Sequence, residues 1–189
     1  YHRMLDRLIE EAKGRARTGT TGRGIGPVYA DKVSYQGIRL AELVSEDAFA
    51  QKLALLLPIK NKILIALGGE PFELEALLEE YASFRERVKP YVREVHPILQ
   101  EALARGKNIL LEGAQGTLLD PDFGTYPFCT ASTIVAGGIT SGAGIPPRKV
   151  DRIIGVAKAY TTRVGAGPLP TEERGETGKL LRGTGENPW

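Results

Sequence analysis

Asn108-Ile109-Leu110-Leu111-Glu112 is a short apolar run that follows a helical pattern and breaks at once into Gly-Ala-Gln-Gly. A helix, a buried strand and a glycine loop in that order predict an α/β arrangement. The loop then lies at the C-terminal end of the strand, where open α/β sheets take their ligands. Arg152 to Tyr160 gives a second such run, followed by Val-Gly-Ala-Gly-Pro. The expected fold is α/β, a mainly parallel sheet flanked by helices. A helical portion is expected at about 40–105 and a sheet and ligand-pocket portion over 106–189.

The helices read from apolar spacing. Met4, Leu5, Leu8, Ile9 and Ala12 predict an amphipathic helix over roughly residues 2–13, stopped by Gly14. Ser45 is a candidate cap for a second helix, with Glu46 and Asp47 in its first turn. Pro58 is expected to end that helix by Leu57. Residues 58–72 read equally as helix or strand. Glu73 to Val88 predicts a helix with one wet face, and Ile98 to Ala104 another, ending at Gly106. His96, just before Pro97, reads as structural.

Bulk properties exclude more than they identify. Net charge is +2 over 189 residues, so no basic field points to nucleic acid. No run of about 18 apolar residues is present to cross a membrane, and there is no signal peptide. The single cysteine, Cys129, leaves no internal disulfide and reads as a small buried residue. The simplest reading is a soluble, cytoplasmic chain. It starts at Tyr1 within a helical pattern and stops at Trp189 after the loop-like Thr-Gly-Glu-Asn-Pro-Trp, so a piece of something longer is expected.

Four segments carry candidate chemistry. Gly19 to Pro27, GTTGRGIGP, has four glycines, two threonines and one arginine. Glycine lets backbone N–H groups approach a ligand, and hydroxyls with an arginine fork suit phosphate oxygens. The segment is a phosphate cradle or a flexible connection. It lacks the spacing of a P-loop, and Gly-Glu-Thr-Gly-Lys at 175–179 lacks the upstream glycine. In EGAQGTLLD, Glu112 to Asp120, the Gln115 amide either reads a base edge and supports an oxyanion, or caps loop backbone. DFGTYPFCT, Asp122 to Thr130, and TTRVGAGPLPTE, Thr161 to Glu172, read singly as packed loops.

Taken in order, GTTGRGIGP-x-Y-x-D-K, EGAQGTLLD, GTYPFCTAS and KAYTTRVGAGPLPTE closely resemble the adenylosuccinate synthetase family over nearly the whole chain. The resemblance implies a P-loop GTPase-related fold, incomplete at both ends. It also implies GTP-dependent ligation of IMP and L-aspartate to adenylosuccinate, with GTP and Mg²⁺ for the parent enzyme, in a homodimer. By motif position, Thr21 and Thr130 look like contacts to IMP phosphate. Gln115 looks like the catalytic amide that reads the hypoxanthine and supports its 6-oxyanion. Leu119 and Val164 look like pocket wall. Tyr35 stands two residues before Gly37-Ile38-Arg39, where the family has an arginine that reaches the neighbouring subunit's IMP. The family's GTP loop, with its catalytic aspartate, its histidine acid and its aspartate-binding loop, has no match in these residues. The chain alone is therefore expected to bind GTP and Mg²⁺ incompletely and to be inactive. A non-catalytic nucleotide-binding or dimerisation module derived from the synthetase is the alternative.

Overall fold

A computed structural model describes residues 1–184 of the chain. Its first half is a set of packed helices. Helix α1, His2–Ala12, buries Leu5 and Leu8 where the apolar spacing placed them. Helix α2 is Ile25–Val33 and α3 is Leu40–Leu43. Helix α4, Glu46–Ala66, starts at Ser45, whose side chain accepts from the backbone N–H of Ala48 at 3.4 Å. Helices α5, Leu74–Val88, and α6, His96–Ala104, follow. The central core lies where α1 meets α4: Leu5, Leu8 and the fully buried Leu64 pack with Tyr1, Met4, Leu67 and Phe72.

Two expectations about the helices change. Helix α4 does not end at Leu57; it runs through Pro58 to Ala66. Proline removes one backbone bond and crowds the preceding turn, at about 3 kcal/mol. Here Pro58 faces solvent, while Phe49, Leu53, Leu56 and Leu57 before it and Lys60 and Leu64 after it are buried on one face. Burial on both sides of the break carries the helix past it. Likewise, Gly19 to Pro27 is not loop throughout. Its last three residues form the first turn of α2, where the missing N–H of Pro27 has no helical partner to lose.

A polar network ties α1, α2 and α4. The Asp31 carboxylate accepts from His2 Nε2 at 2.7 Å and from Lys60 Nζ at 2.5 Å, and Lys60 also reaches Gln36 Oε1 at 2.8 Å. Burial holds His2 below the ordinary histidine range against the pull of Asp31, and the positive charges of the N-terminus and Lys60 add to the lowering. The Tyr1 phenol, beneath Lys60, is pushed up to about 12 by burial and by the Asp31 charge.

The second half is mostly loop. It contains a 3-10 turn at Thr117–Leu119, helix α7, Ala136–Ala143, a second such turn at Pro147–Lys149, and helix α8, Glu176–Thr184. Helix α8 covers most of the Gly-Glu-Thr-Gly-Lys stretch. The expected parallel sheet is not formed among the described residues. The stretches 107–114 and 150–158 carry no helix or strand. A strand exists only through a ladder to a neighbour, and here neither stretch has one. Leu110 is 88% exposed and Val156 97%, so apolar side chains that a sheet would bury face solvent. The loop-like end expected after Thr184 lies outside the described residues.

Candidate functional site

Three loops from distant parts of the chain meet. The first, residues 17–24, is anchored to α1. Glu10 accepts the Gly19 N–H at 2.8 Å and the Lys13 ammonium at 2.7 Å, and Lys13 also donates to Thr18 Oγ1 at 2.9 Å. Asp6, buried in α1, accepts the Gly24 N–H at 3.0 Å. Partial burial raises the Glu10 carboxyl, but Lys13 and the loop N–H groups together draw it below the ordinary range. The acids on α1 thus hold the glycine loop by its backbone and leave its side chains outward. Thr21 is exposed on it.

The second loop, residues 112–135, is built around Asp120, which is fully buried. Its Oδ1 accepts from the N–H groups of Asp122 and Phe123 at 3.0 and 3.3 Å. Its Oδ2 accepts from Ile134 and Val135 at 3.0 and 3.4 Å. Burial pushes this carboxyl up, and the backbone donors together pull it below the ordinary range. Above this hub the loop doubles back. The Thr130 N–H donates to Leu119 O at 2.8 Å. Gln115 Nε2 donates to Thr130 Oγ1 at 3.1 Å and reaches Ser132 Oγ at 3.4 Å.

Gln115 has φ 66° and Tyr35 φ 63°; among the described residues these are the non-glycine residues in the left-handed region. Such backbone is uncommon outside glycine and marks positions that the surroundings over-determine. At Gln115 it turns the amide back toward Thr130.

The third loop, residues 161–169, joins the other two. The Ala166 N–H donates to Thr18 O at 3.3 Å. A Cβ at Gly19, where φ is +77°, would come within 2.9 Å of Gly165 Cα, so the two loops touch backbone to backbone only because both are glycine there. Arg163 crosses to the second loop, with Nη2 2.9 Å from Phe128 O and 3.3 Å from Thr125 Oγ1.

Of the sequence-predicted site residues, the structure joins Gln115 and Thr130 directly and Leu119 to them through backbone. Thr21 and Val164 sit on the loops that meet at Gly19 and Gly165, Val164 at 53% exposure. Tyr35 stands apart, 90% exposed beyond the end of α2. Cys129 is half-buried and free. His96 lies at the start of α6, where Gln100 links it to the backbone of Gly144, a structural setting. Sequence reasoning did not assign Asp120, Arg163, Asp6 or Glu10. Asp120 closes the quoted EGAQGTLLD and Arg163 is the third residue of TTRVGAGPLPTE, so both lay inside motifs already marked. Among the described residues no group of three or more His, Cys, Asp or Glu could hold a metal ion. No described helix is long and apolar enough to cross a membrane.

Comparison with known proteins identifies the family of the chain. The family model described as adenylosuccinate synthetase matches residues 1–188. The adenylosuccinate synthetase of Clostridium novyi is 47% identical over 185 residues, 98% of this chain and 43% of that protein. That of Thermosynechococcus vestitus is 53% identical over 182 residues, 96% of this chain and 41% of that protein. The solved structure of fully ligated adenylosuccinate synthetase from Plasmodium falciparum superposes with a TM-score of 0.87 at 34% identity, over 96% of this chain and 43% of that one. The chain thus spans less than half the length of the relatives it matches. On the match of nearly every residue, the chain belongs to the adenylosuccinate synthetase family.

Proposed function

We propose that the three joined loops are the IMP-binding part of a GTP-dependent synthetase that ligates IMP and L-aspartate to adenylosuccinate. The observation that carries the reading is the Gln115–Thr130 hydrogen bond, in a loop that the third loop joins to the seated glycine loop through Arg163 and Ala166. An amide that is both donor and acceptor, next to hydroxyls and a glycine-rich backbone, suits a purine monophosphate.

In this reading a base removes the N1 proton of IMP while the γ-phosphoryl of GTP moves to O6. The aspartate amine then displaces that phosphate at C6. Gln115 holds the 6-oxygen as charge develops on it, and Thr21 and Thr130 hold the 5′-phosphate. Leu119 and Val164 wall the pocket, and Tyr35 occupies the position from which the family contacts a neighbouring subunit. The contacts to GTP, Mg²⁺ and aspartate belong to the remainder of the family's length. The helical region at about 40–105, the strands expected of 108–112 and 152–160, a homodimer and a cytoplasmic location are parts of the same reading. A synthetase of full family length carrying this segment tests it. Thr130→Ala is expected to raise the KM for IMP and leave that for GTP within about twofold, since one hydrogen bond to a charged group is worth about 1.5–3 kcal/mol. Equal effects on both nucleotides would overturn the assignment.

A further inference from the structure

We propose that Arg163 is a positioning residue for the mononucleotide site, holding the loop that carries Thr130 against the loop that carries Val164. The proposal rests on the IMP-pocket reading above and adds a residue which that reading does not use.

The half-buried guanidinium spans two loops. Nε donates to Ala166 O at 3.0 Å within its own loop. Nη2 donates to Phe128 O at 2.9 Å and approaches Thr125 Oγ1 at 3.3 Å across the gap. The cation also lies 6.0 Å from the centre of the Phe128 ring. Phe128 is two residues before Thr130, whose N–H is fixed to Leu119 and whose hydroxyl meets Gln115. On the other side, Ala166 donates to Thr18 and Gly165 touches Gly19. One side chain therefore ties Thr130 to the segment that seats the glycine loop.

Two further observations fit a strut. A side chain at Gly167, where φ is +115°, would collide with Arg163 Nη2 and with the Phe128 ring, so the bare backbone there leaves the space the guanidinium occupies. Each of these acceptors is a neutral oxygen met by a guanidinium N–H, so the contacts fix position rather than pair charges. A lysine could not reproduce this arrangement. Its single ammonium cannot reach Ala166 O and Phe128 O in the fixed directions of a guanidinium fork.

The test is calorimetric titration of the chain with IMP, comparing Arg163→Lys, Arg163→Gln, Thr125→Val, Thr130→Ala and the double variant Arg163→Gln/Thr130→Ala, with a thermal melt of each. Both Arg163 variants are expected to weaken IMP binding about tenfold, lysine giving no rescue, and Thr125→Val about threefold. The double variant is expected to bind within about twofold of the weaker single variant, because Arg163 acts through Thr130. A merely structural role would lower the melting midpoint and leave the two losses multiplicative. Unchanged affinity in Arg163→Lys, or multiplicative losses in the double variant, overturns the proposal. If Arg163→Gln does not fold, Arg163→Lys and Thr125→Val decide, and unchanged affinity in both overturns it. Thr130→Ala binding IMP as tightly as the parent sinks the pocket reading and this proposal together. Weakened binding in Thr130→Ala beside unaffected Arg163 variants sinks this proposal alone.

Discussion

Gln115 donates to Thr130 across a loop that folds back over a buried aspartate, with Nε2 and Oγ1 3.1 Å apart. The two residues are 15 apart in sequence and meet because Gln115 takes a left-handed backbone and Leu119 O captures the Thr130 N–H. The amide is thereby held before any ligand arrives, which is what electrostatic stabilisation of a developing charge requires.

Replacing that amide at constant size is the sharpest probe of its role. Gln115→Glu exchanges the donor for a charge that would repel a developing 6-oxyanion. In a synthetase of full family length, kcat is expected to fall about 10²–10³-fold, the range for losing one oxyanion donor. Steady-state kinetics reads it, and a change confined to KM would contradict the assigned role.

Tyr35 offers a gain of function. Its phenol is exposed and can donate one hydrogen bond, at the position where the resemblance implies an arginine directed at the neighbouring subunit. Tyr35→Arg is expected to tighten IMP binding by about 1.5–3 kcal/mol in an assembled dimer, through a charge-assisted bidentate contact. Titration of the dimer checks it; unchanged affinity would mean that another cation, such as Arg39 or Lys32, already serves.

Asp120 sets an acid limit. Its carboxyl lies below the ordinary range in the folded chain, so the folded state binds its proton less readily than the unfolded state. The stability it contributes is present above the unfolded carboxylate value of about 3.9 and is lost as pH falls through the lower folded value. Asp120→Asn keeps the shape but offers donors to backbone donors. It is expected to lower the melting midpoint at neutral pH by roughly 5 °C and to flatten the acid-side loss. Melts from pH 3 to 7 test this, and parallel curves for parent and variant would refute it.

The α1–α4 contact has its own test. Leu64 is fully buried and packs on Leu5 and Leu8. Leu64→Ala is expected to destabilise the chain by about 2–5 kcal/mol through lost burial and the cavity left behind. Denaturant unfolding measures it; a loss below about 1 kcal/mol would mean that this cluster is not the core.

Much of the helical half was legible because its signals are local. Leu5 and Leu8 mark the buried face of α1, and Ser45 with Glu46 and Asp47 marks the start of α4. Pro58 misled because its local preference against helix was outweighed by burial on either side, which no short window contains. The sheet was read from Asn108–Glu112 and Arg152–Tyr160, whose composition suits strands; composition cannot supply the neighbours that make a strand. The resemblance to the family marked Gln115 and Thr130 separately. Their meeting, and the parts taken by Asp120 and Arg163, depend on backbone hydrogen bonds between segments far apart in the chain.

The central claim is that these loops form a mononucleotide pocket. The measurement that tests it most directly is calorimetric titration of the chain with IMP, with GTP as the paired control. The account predicts saturable binding of IMP at one site per chain and no comparable binding of GTP. Failure to bind IMP, or equal binding of GTP, would contradict it.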